Sequence, residues 1–325
     1  MTEFKAARGL SNPHIQTVIP RFIRKKPLFT AQWQTLNTLD GDFLDLAWSE
    51  DQTTDSAKNK PIFVLFHGLE GCFYSPYANG LMHAFAQDGW LSVMMHFRGC
   101  SGRPNKLARA YHSGETEDAR FVLEYLRKNF PDQPIVAIGV SLGGNMLVNY
   151  LAKYNDDPIV QAATVVSAPL DLAACSSRIE QGFSKVYRNY LLSSLKKNAL
   201  KKHNQLSQAI GVSTDTIHSL KTLRGFDDLI TAPLHNFKSA HDYYRRCSGM
   251  NVLNDVTVPL QLIHAKDDPF MTEQVIPSFT LNKNIHYRLF EQGGHVGFLT
   301  GSMTKPKFWL EETLPNYYQN IRTET

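Results

Sequence analysis

The chain has 325 residues, 42% of them hydrophobic and 20% charged, with a formal net charge of +4. That length and balance suit one large globular α/β domain or two modest ones, and they exclude a disordered chain. No apolar run approaches the roughly 18 residues that a membrane crossing needs, and Met1 to Arg8 lack the apolar stretch of a secretory signal. Cys72, Cys100, Cys175 and Cys247 are scattered without CxxC spacing. This argues against a zinc cluster or a disulfide framework and fits a reducing cytoplasm, the expected location. With no Walker A or GxGxxG run, neither a nucleotide cofactor nor any other cofactor is expected.

The first thirty residues contain Asn12-Pro13-His14-Ile15-Gln16-Thr17 and a basic stretch from Arg21 to Lys26. They read as an arm or short helices packed on the outside of the domain. Two strands follow, near Gln32–Asn37 and Phe43–Trp48, joined by Asp40-Gly41-Asp42, which suits a hairpin. From Ile62 the pattern becomes strand–helix alternation. Ile62-Phe63-Val64-Leu65-Phe66 is a continuous apolar run, as a strand buried on both faces requires. Pro76–Gln87 is expected as a helix and Trp90–Phe97 as a strand. Glu115–Asn129 is a second helix, with Ala119, Val122, Leu123 and Leu126 at helical spacing. Further strands are expected at Ile135–Val140, Val160–Val166, Leu260–Ala265 and Ile285–Phe290, with helices at Asn145–Lys153 and Lys305–Ile321. This is about eight mostly parallel strands with helices between them, a doubly wound α/β architecture.

Asp171 to about Asn254 interrupts the alternation. It lacks strand patterns and lies between the strand ending near Ser167 and the one starting at Leu260. The expected organisation is a core of residues 1–170 and 255–325, with residues 1–30 as an N-terminal arm. Residues 171–254 would form a helical cap over the carboxyl ends of the strands. Between Asp171 and Arg246 there are 12 Lys or Arg against 6 Asp or Glu, so the remainder is slightly acidic. A solvated helical face explains this most simply. Attraction to anionic lipid or anionic substrate is the functional alternative, and it makes the basic cap a candidate for peripheral contact with a membrane surface. No recognition motif accompanies the charge, so nucleic acid is not an expected partner.

The stretch richest in chemistry is Gly139-Val140-Ser141-Leu142-Gly143-Gly144. An apolar run leads in and a helix-like run leads out, so a serine stands at the apex of a sharp strand-to-helix turn. The glycines two before and two after it let strand and helix pass closely. A serine hydroxyl is a poor nucleophile at neutral pH and needs a base, and the base needs an acid to orient it. Lys266-Asp267-Asp268-Pro269 follows the strand Leu260–Ala265, and Gly293-Gly294-His295-Val296-Gly297 follows Ile285–Phe290. Both lie at carboxyl ends of strands, where open α/β sheets build their sites. His295 is the candidate base. Asp268 is preferred over its neighbour Asp267 as the acid because it directly precedes Pro269-Phe270, where such loops turn inward. Two backbone N–H groups must hold the oxyanion. Leu142 follows the nucleophile, and Leu69 is the choice from the loop His67-Gly68-Leu69-Glu70-Gly71. His67 reads as a brace for that loop. Arg98 reads as a structural hydrogen-bonding residue, with binding of a substrate carboxylate or phosphate as the alternative, and Cys100 as an inert small one. Tyr111-His112-Ser113 either braces a loop or lines a pocket. His14, His235 and His241 show no metal-ligand spacing.

These blocks carry a resemblance. Together with Asn12-Pro13-His14-Ile15-Gln16-Thr17, Asp40-Gly41-Asp42-Phe43, His96-Phe97-Arg98-Gly99-Cys100-Ser101-Gly102, Tyr111-His112-Ser113-Gly114, Ser167-Ala168-Pro169 and Thr231-Ala232-Pro233-Leu234, they span nearly the whole chain. The sequence resembles the YheT-type branch of the α/β-hydrolases, which includes animal acylglycerol lipases and phospholipases. The resemblance implies an α/β-hydrolase fold and a serine hydrolase acting on carboxylic esters of small molecules or lipids. It also implies a triad of Ser141, Asp268 and His295. A thioesterase or acyltransferase would use the same triad, and a non-catalytic lipid-binding protein on this fold is the reading from outside enzymology. Haloalkane dehalogenase and epoxide hydrolase chemistry would want a carboxylate where Ser141 stands.

Overall fold

The computed structural model describes residues 3–323. Eight strands hydrogen-bond into one sheet: β1 Gln32–Asn37, β2 Phe43–Trp48, β3 Ile62–Phe66, β4 Leu91–Met95, β5 Ile135–Val140, β6 Ala162–Val166, β7 Leu260–Ala265 and β8 Ile285–Phe290. Their spatial order is β1-β2-β4-β3-β5-β6-β7-β8. The hairpin β1–β2 is antiparallel, β2 joins β4 antiparallel, and every other neighbouring pair is parallel. The expected sheet of about eight mostly parallel strands is borne out. Strands β3 to β7 are buried along their whole length, and their sequences are accordingly apolar almost throughout. The edges β1 and β8 keep exposed or half-exposed positions.

Helices cover both faces. On one, Pro76–Gln87 sets Ala78, Leu81, Met82 and Phe85 against Phe63 and Leu65, and the C-terminal helix Trp309–Tyr317 adds Trp309, Leu310 and Leu314. Phe85 stacks on Phe63 with ring centroids 3.9 Å apart. On the other face, Glu117–Asn129 and Leu142–Lys153 pack Val122, Leu126, Met146 and Leu147 against Val64, Phe66 and Ala137. The crossovers leave β3 toward β4 on one side, while β5 lies on the other side of β3. That reversal opens a crevice beyond the carboxyl ends of β3 and β5, where a parallel sheet of this kind places its ligands.

Between β6 and β7 the chain is helical. Leu172–Arg178, Ser184–Lys201, His203–Ile210, Thr214–Ser219, Leu223–Phe226 and Ala240–Cys247 are its main pieces, with a π turn at Asp227–Thr231. These helices share a small core of their own, including Leu192, Leu206, Ile217, Phe226 and Ile230. Lys202 pins them to the sheet domain: its buried ammonium donates to Asn105 Oδ1 at 2.7 Å and to the carbonyls of Ala108 and Arg109 at 3.1 and 3.0 Å.

One expectation needs correction. The closing helix does not begin at Lys305. Lys305–Phe308 is a strand paired antiparallel with Leu299–Ser302, and the helix starts at Trp309. Lys305 and Lys307 turn to solvent in the alternation of a half-buried strand, and Gly301 at φ 84° bends its partner strand. The N-terminal arm forms a short helix on the outside of the domain. Its helix Pro13–Ile23, capped by Asn12 and opened by Pro13, packs on the loop that carries His295.

Candidate active site

Strand β5 ends at Val140 and the next helix begins at Leu142, so the whole reversal falls on Ser141. Its φ of 53° and ψ of −121° are strained for a residue with a side chain. A Cβ on Gly139 would lie 2.5 Å from Gly143 O, and one on Gly143 would lie 2.4 Å from the carbonyl oxygens of Phe66 and His67. Glycine at both positions is therefore what lets β5, its helix and the end of β3 close on one another.

The other two side chains arrive from the ends of β7 and β8. His295 Nε2 lies 3.0 Å from Ser141 Oγ, and His295 Nδ1 lies 2.8 Å from Asp268 Oδ2. A carboxylate only accepts, so Nδ1 carries the proton and Nε2 faces the serine hydroxyl as an acceptor. Asp268 is buried, and its second oxygen takes the N–H of Phe270 at 2.8 Å. The Phe270 ring stacks on the imidazole at 4.1 Å. Asp267 turns elsewhere: its Oδ1 accepts the Gly294 N–H at 2.9 Å, and burial raises its carboxyl pKa.

The loop after β3 runs against the serine, since a Cβ on Gly68 would lie 3.1 Å from Ser141 Cβ. Gly68 N–H donates to Tyr77 Oη at 2.8 Å. The N–H groups of Leu69 and Leu142 have no acceptor among the described residues, so both remain available to an oxyanion. His67 is wholly buried; its Nδ1 donates to Gly68 O at 2.7 Å and its Nε2 accepts the Phe97 N–H at 3.0 Å. Burial, reinforced by His96, holds its pKa down to about 3, so the neutral ring braces the loops after β3 and β4. Arg98 forms a two-pronged pair with Asp118 at 2.7 and 2.8 Å and reaches Asp40 at 2.8 Å, which leaves it no free donor face for a substrate. Cys100 is buried, and burial pushes its thiol well above the usual range.

The sequence reading singles out the block from Asn12 to Thr17 but assigns no role to Gln16 or Thr17. Thr17 Oγ1 accepts the His295 N–H at 2.9 Å. Gln16, wholly buried, donates to Leu10 O and Leu299 O and accepts the Leu299 N–H at 2.7 Å. A Cβ on Gly297 would lie 2.2 Å from Gln16 O, and one on Gly294 would lie 2.6 Å from Pro13 O. The helix start at Asn12-Pro13 marks a helix but not what it touches.

Residues 61–302 match the sequence profile of the alpha/beta hydrolase fold. The chain belongs to the α/β-hydrolase family. It is 51% identical over 316 residues to YheT of Escherichia coli (strain K12), an esterase by name, across 97% of this chain and 92% of that one. The resemblance to the YheT branch is borne out. Phospholipase ABHD3 of Mus musculus is 28% identical, across 94% of this chain and 75% of its own. Among solved structures, the Pyrococcus furiosus esterase Pf2001 superposes with a TM-score of 0.59 at 15% identity, covering 100% of this chain and 98% of that one, a likeness of fold.

In this α/β-hydrolase a cavity of about 980 Å³ opens onto Ser141 and His295. Its far wall is apolar, with Leu191, Leu195, Leu206, Phe226 and Ile230 from the helices between β6 and β7. One polar link crosses it: Glu70 accepts from Tyr111 Oη at 2.9 Å and from Asn198 Nδ2 at 2.6 Å. Away from the serine, His112, Glu115 and His235 bring possible ligand atoms within 4.8 Å of one another. His112 Nδ1 accepts the Gly114 N–H, which puts the proton on Nε2, and Arg109 already pairs with Glu115 at 2.9 Å. The cluster is thus knitted by its own hydrogen bonds and flanked by positive charge, an arrangement hostile to a cation.

Proposed function

We propose that this α/β-hydrolase cleaves carboxylic esters through an acyl-enzyme on Ser141. The observation that carries the reading is the hydrogen-bonded line from Ser141 Oγ through His295 to Asp268, at 3.0 and 2.8 Å. Ser141 Oγ attacks the ester carbonyl carbon while His295 Nε2 takes its proton. The carbonyl oxygen becomes an oxyanion held by the N–H groups of Leu69 and Leu142. Collapse expels the alcohol, which leaves with the proton from His295. Water, deprotonated by the same ring, then attacks the acyl carbon and frees the acid and Ser141. Asp268 keeps the proton on Nδ1 and stabilises the imidazolium. Every step uses this chain's own groups and water.

The substrate class follows from the cavity and the relatives together. YheT is named an esterase and ABHD3 a phospholipase. The monoacylglycerol lipase of Saccharomyces cerevisiae is 27% identical across 77% of this chain and 57% of its own. We infer that residues 171–254 act as a cap whose apolar wall receives the acyl chain of an ester or lipid. The direct test is labelling by a fluorophosphonate probe alongside turnover of a short-chain nitrophenyl ester. Wild type is expected to label at Ser141, and Ser141→Ala to lose the label and at least about a thousandfold in turnover. Equal turnover by the two proteins would sink the reading.

A further inference from the structure

The rim of the cavity is unlike the rest of the surface. Exposed residues along it include Arg21, Phe22, Lys25, Tyr74, Val186 and Tyr190. They come mainly from two helices that meet there, Pro13–Ile23 and Ser184–Lys201. His14 Nδ1 bonds Tyr187 Oη at 3.0 Å, and Arg21 donates to Tyr190 Oη at 2.6 Å while its guanidinium lies over the Tyr190 ring. Around this junction Phe22 is 64% exposed, Phe183 56%, Val186 54% and Tyr190 51%. On Ser184–Lys201 the residues facing inward, Leu192 and Ala199, are already buried in the core of the inserted helices. Val186 and Tyr190 therefore form a second apolar face that stays about half exposed, with Arg21 lying over one side of the Tyr190 ring. Contiguous exposed apolar residues of this kind mark a contact surface.

The charge says what the contact is. From Phe4 to Leu39 the chain carries six basic residues, Lys5, Arg8, Arg21, Arg24, Lys25 and Lys26, and no acidic one. Arg24 is spent on a pair with Glu311. Among the described residues no carboxylate pairs with Arg21, Lys25, Lys26 or Lys185. Aromatic and aliphatic side chains interleaved with unpaired Lys and Arg are complementary to a bilayer interface with negative headgroups. We propose that this rim docks on an anionic lipid surface, with Phe22, Ile23, Phe183, Val186 and Tyr190 entering the acyl boundary and Arg21, Lys25, Lys26 and Lys185 meeting the headgroups. Lys185 is then the contribution of the inserted helices to the charged footprint, and Arg21, Lys25 and Lys26, at and just past the end of the N-terminal helix, supply the rest. Docked this way, the cavity mouth faces the membrane, so an acyl chain passes from lipid to pocket without crossing water. The purpose of the contact rests on the ester-hydrolase reading; the contact itself does not.

The test is sedimentation of the full chain with vesicles of phosphatidylcholine alone or with phosphatidylglycerol added. Ser141→Ala carries the measurement so that the lipid stays intact. Each basic residue near an anionic leaflet strengthens partition by about fivefold. The protein is expected to bind the anionic vesicles at least about tenfold more strongly than the neutral ones, and to lose most of that advantage in 0.5 M salt, about where screening shortens below 5 Å. Ile23→Ser with Lys26→Glu, two rim positions outside the cavity lining, is expected to cut anionic binding at least about tenfold. On the background with Ser141 intact the same pair should leave soluble short-chain ester turnover unchanged, and Leu39→Ser, exposed outside the rim, should bind as the parent does. No binding to anionic vesicles at low salt, or binding by the double variant equal to the parent, would overturn the proposal. Failure of Ser141 to label would count against the ester reading and leave this result untouched.

Discussion

Thr17 Oγ1 accepts the backbone N–H of His295 at 2.9 Å, so a residue of the first helix holds the imidazole-bearing loop near the end of the chain. The same hydroxyl donates to Pro13 O at 2.7 Å, which fixes its direction. Thr17→Val keeps the shape and removes the acceptor. Leaving a part-buried N–H unpaired costs about 1–3 kcal/mol of stability. We expect kcat on a short-chain ester to fall about tenfold with KM little changed, because the loss acts through the placing of His295. Thr17→Ser should restore most of it. A Thr17→Val enzyme with wild-type kcat would show that the loop needs no such anchor.

Asp267 and Asp268 separate cleanly by substitution. Asparagine at 268 can donate to His295 Nδ1, which forces the proton onto Nε2 and leaves Ser141 without a base. Asp268→Asn should lower kcat by about three to four orders of magnitude. Asp267→Asn keeps an oxygen for the Gly294 N–H and removes a charge that burial disfavours. It should cost less than about tenfold in rate. Its folded pKa lies above the ordinary carboxyl value, so the native charge weakens the fold at pH values above that ordinary value, and the variant should be at least as stable at neutral pH. Esterase assays and melting curves on both proteins check this.

Why much of this was readable before any coordinates lies in burial. Strands β3 to β7 are covered on both faces, so their sequences are apolar runs bounded by turns, and the order of Ser141, the aspartate pair and His295 follows the strand ends. What depended on distant contacts was not readable. Lys305–Phe308 has only four residues, a proline among them, and is a strand because Leu299–Ser302 pairs with it. Thr17 meets His295 across 278 positions of sequence, and no local pattern records that. Adjacent aspartates at a strand end point to different sides, and only the packed loop decides which one reaches an imidazole. The basic excess of the inserted helices was visible as composition. That its Lys185 shares a rim with Arg21, Lys25 and Lys26, which pair with no carboxylate among the described residues, is visible only in space.

Gly143 is the tightest point of the elbow. Its Cβ would lie 2.4 Å from two backbone carbonyl oxygens, of Phe66 and His67, and neither can swing aside as a side chain would. Gly143→Ala must push the helix Leu142–Lys153 away from β3, which separates Ser141 and Leu142 from the Leu69 loop. We expect a loss of about 3 kcal/mol or more and no detectable turnover. Gly182→Ala makes the comparison fair. Its φ is 52° but nothing lies within 4 Å of the added carbon, so it should cost only about 1–2 kcal/mol and leave turnover intact. Denaturant midpoints of both variants would distinguish steric closure from simple glycine backbone preference.

The fold should weaken in mild acid, because several buried histidines outnumber the one aspartate, Asp227, whose pKa burial raises to about 6. His67, His96 and His264 are buried, and burial brings their pKa values down to about 3, 4 and 4. In the unfolded chain each returns to about 6.5. Between those values the unfolded state binds protons that the folded state refuses, so stability rises with pH across the window and levels off above about pH 7. Each ring can contribute a slope of up to about 1.4 kcal/mol per pH unit. The cost has a structural location: His96 Nε2 accepts the Phe73 N–H at 3.1 Å and His67 Nε2 accepts the Phe97 N–H at 3.0 Å, so a proton on either ring sets a donor against a donor beside the Leu69 loop. Urea midpoints measured at pH 7.5 and 5.5 should fall at the lower pH. His96→Asn, which can still donate to Asp45 O, should lower the midpoint at pH 7.5 yet reduce its drop on acidification. A midpoint independent of pH over that range would mean that these rings titrate as freely in the folded protein as in the unfolded one.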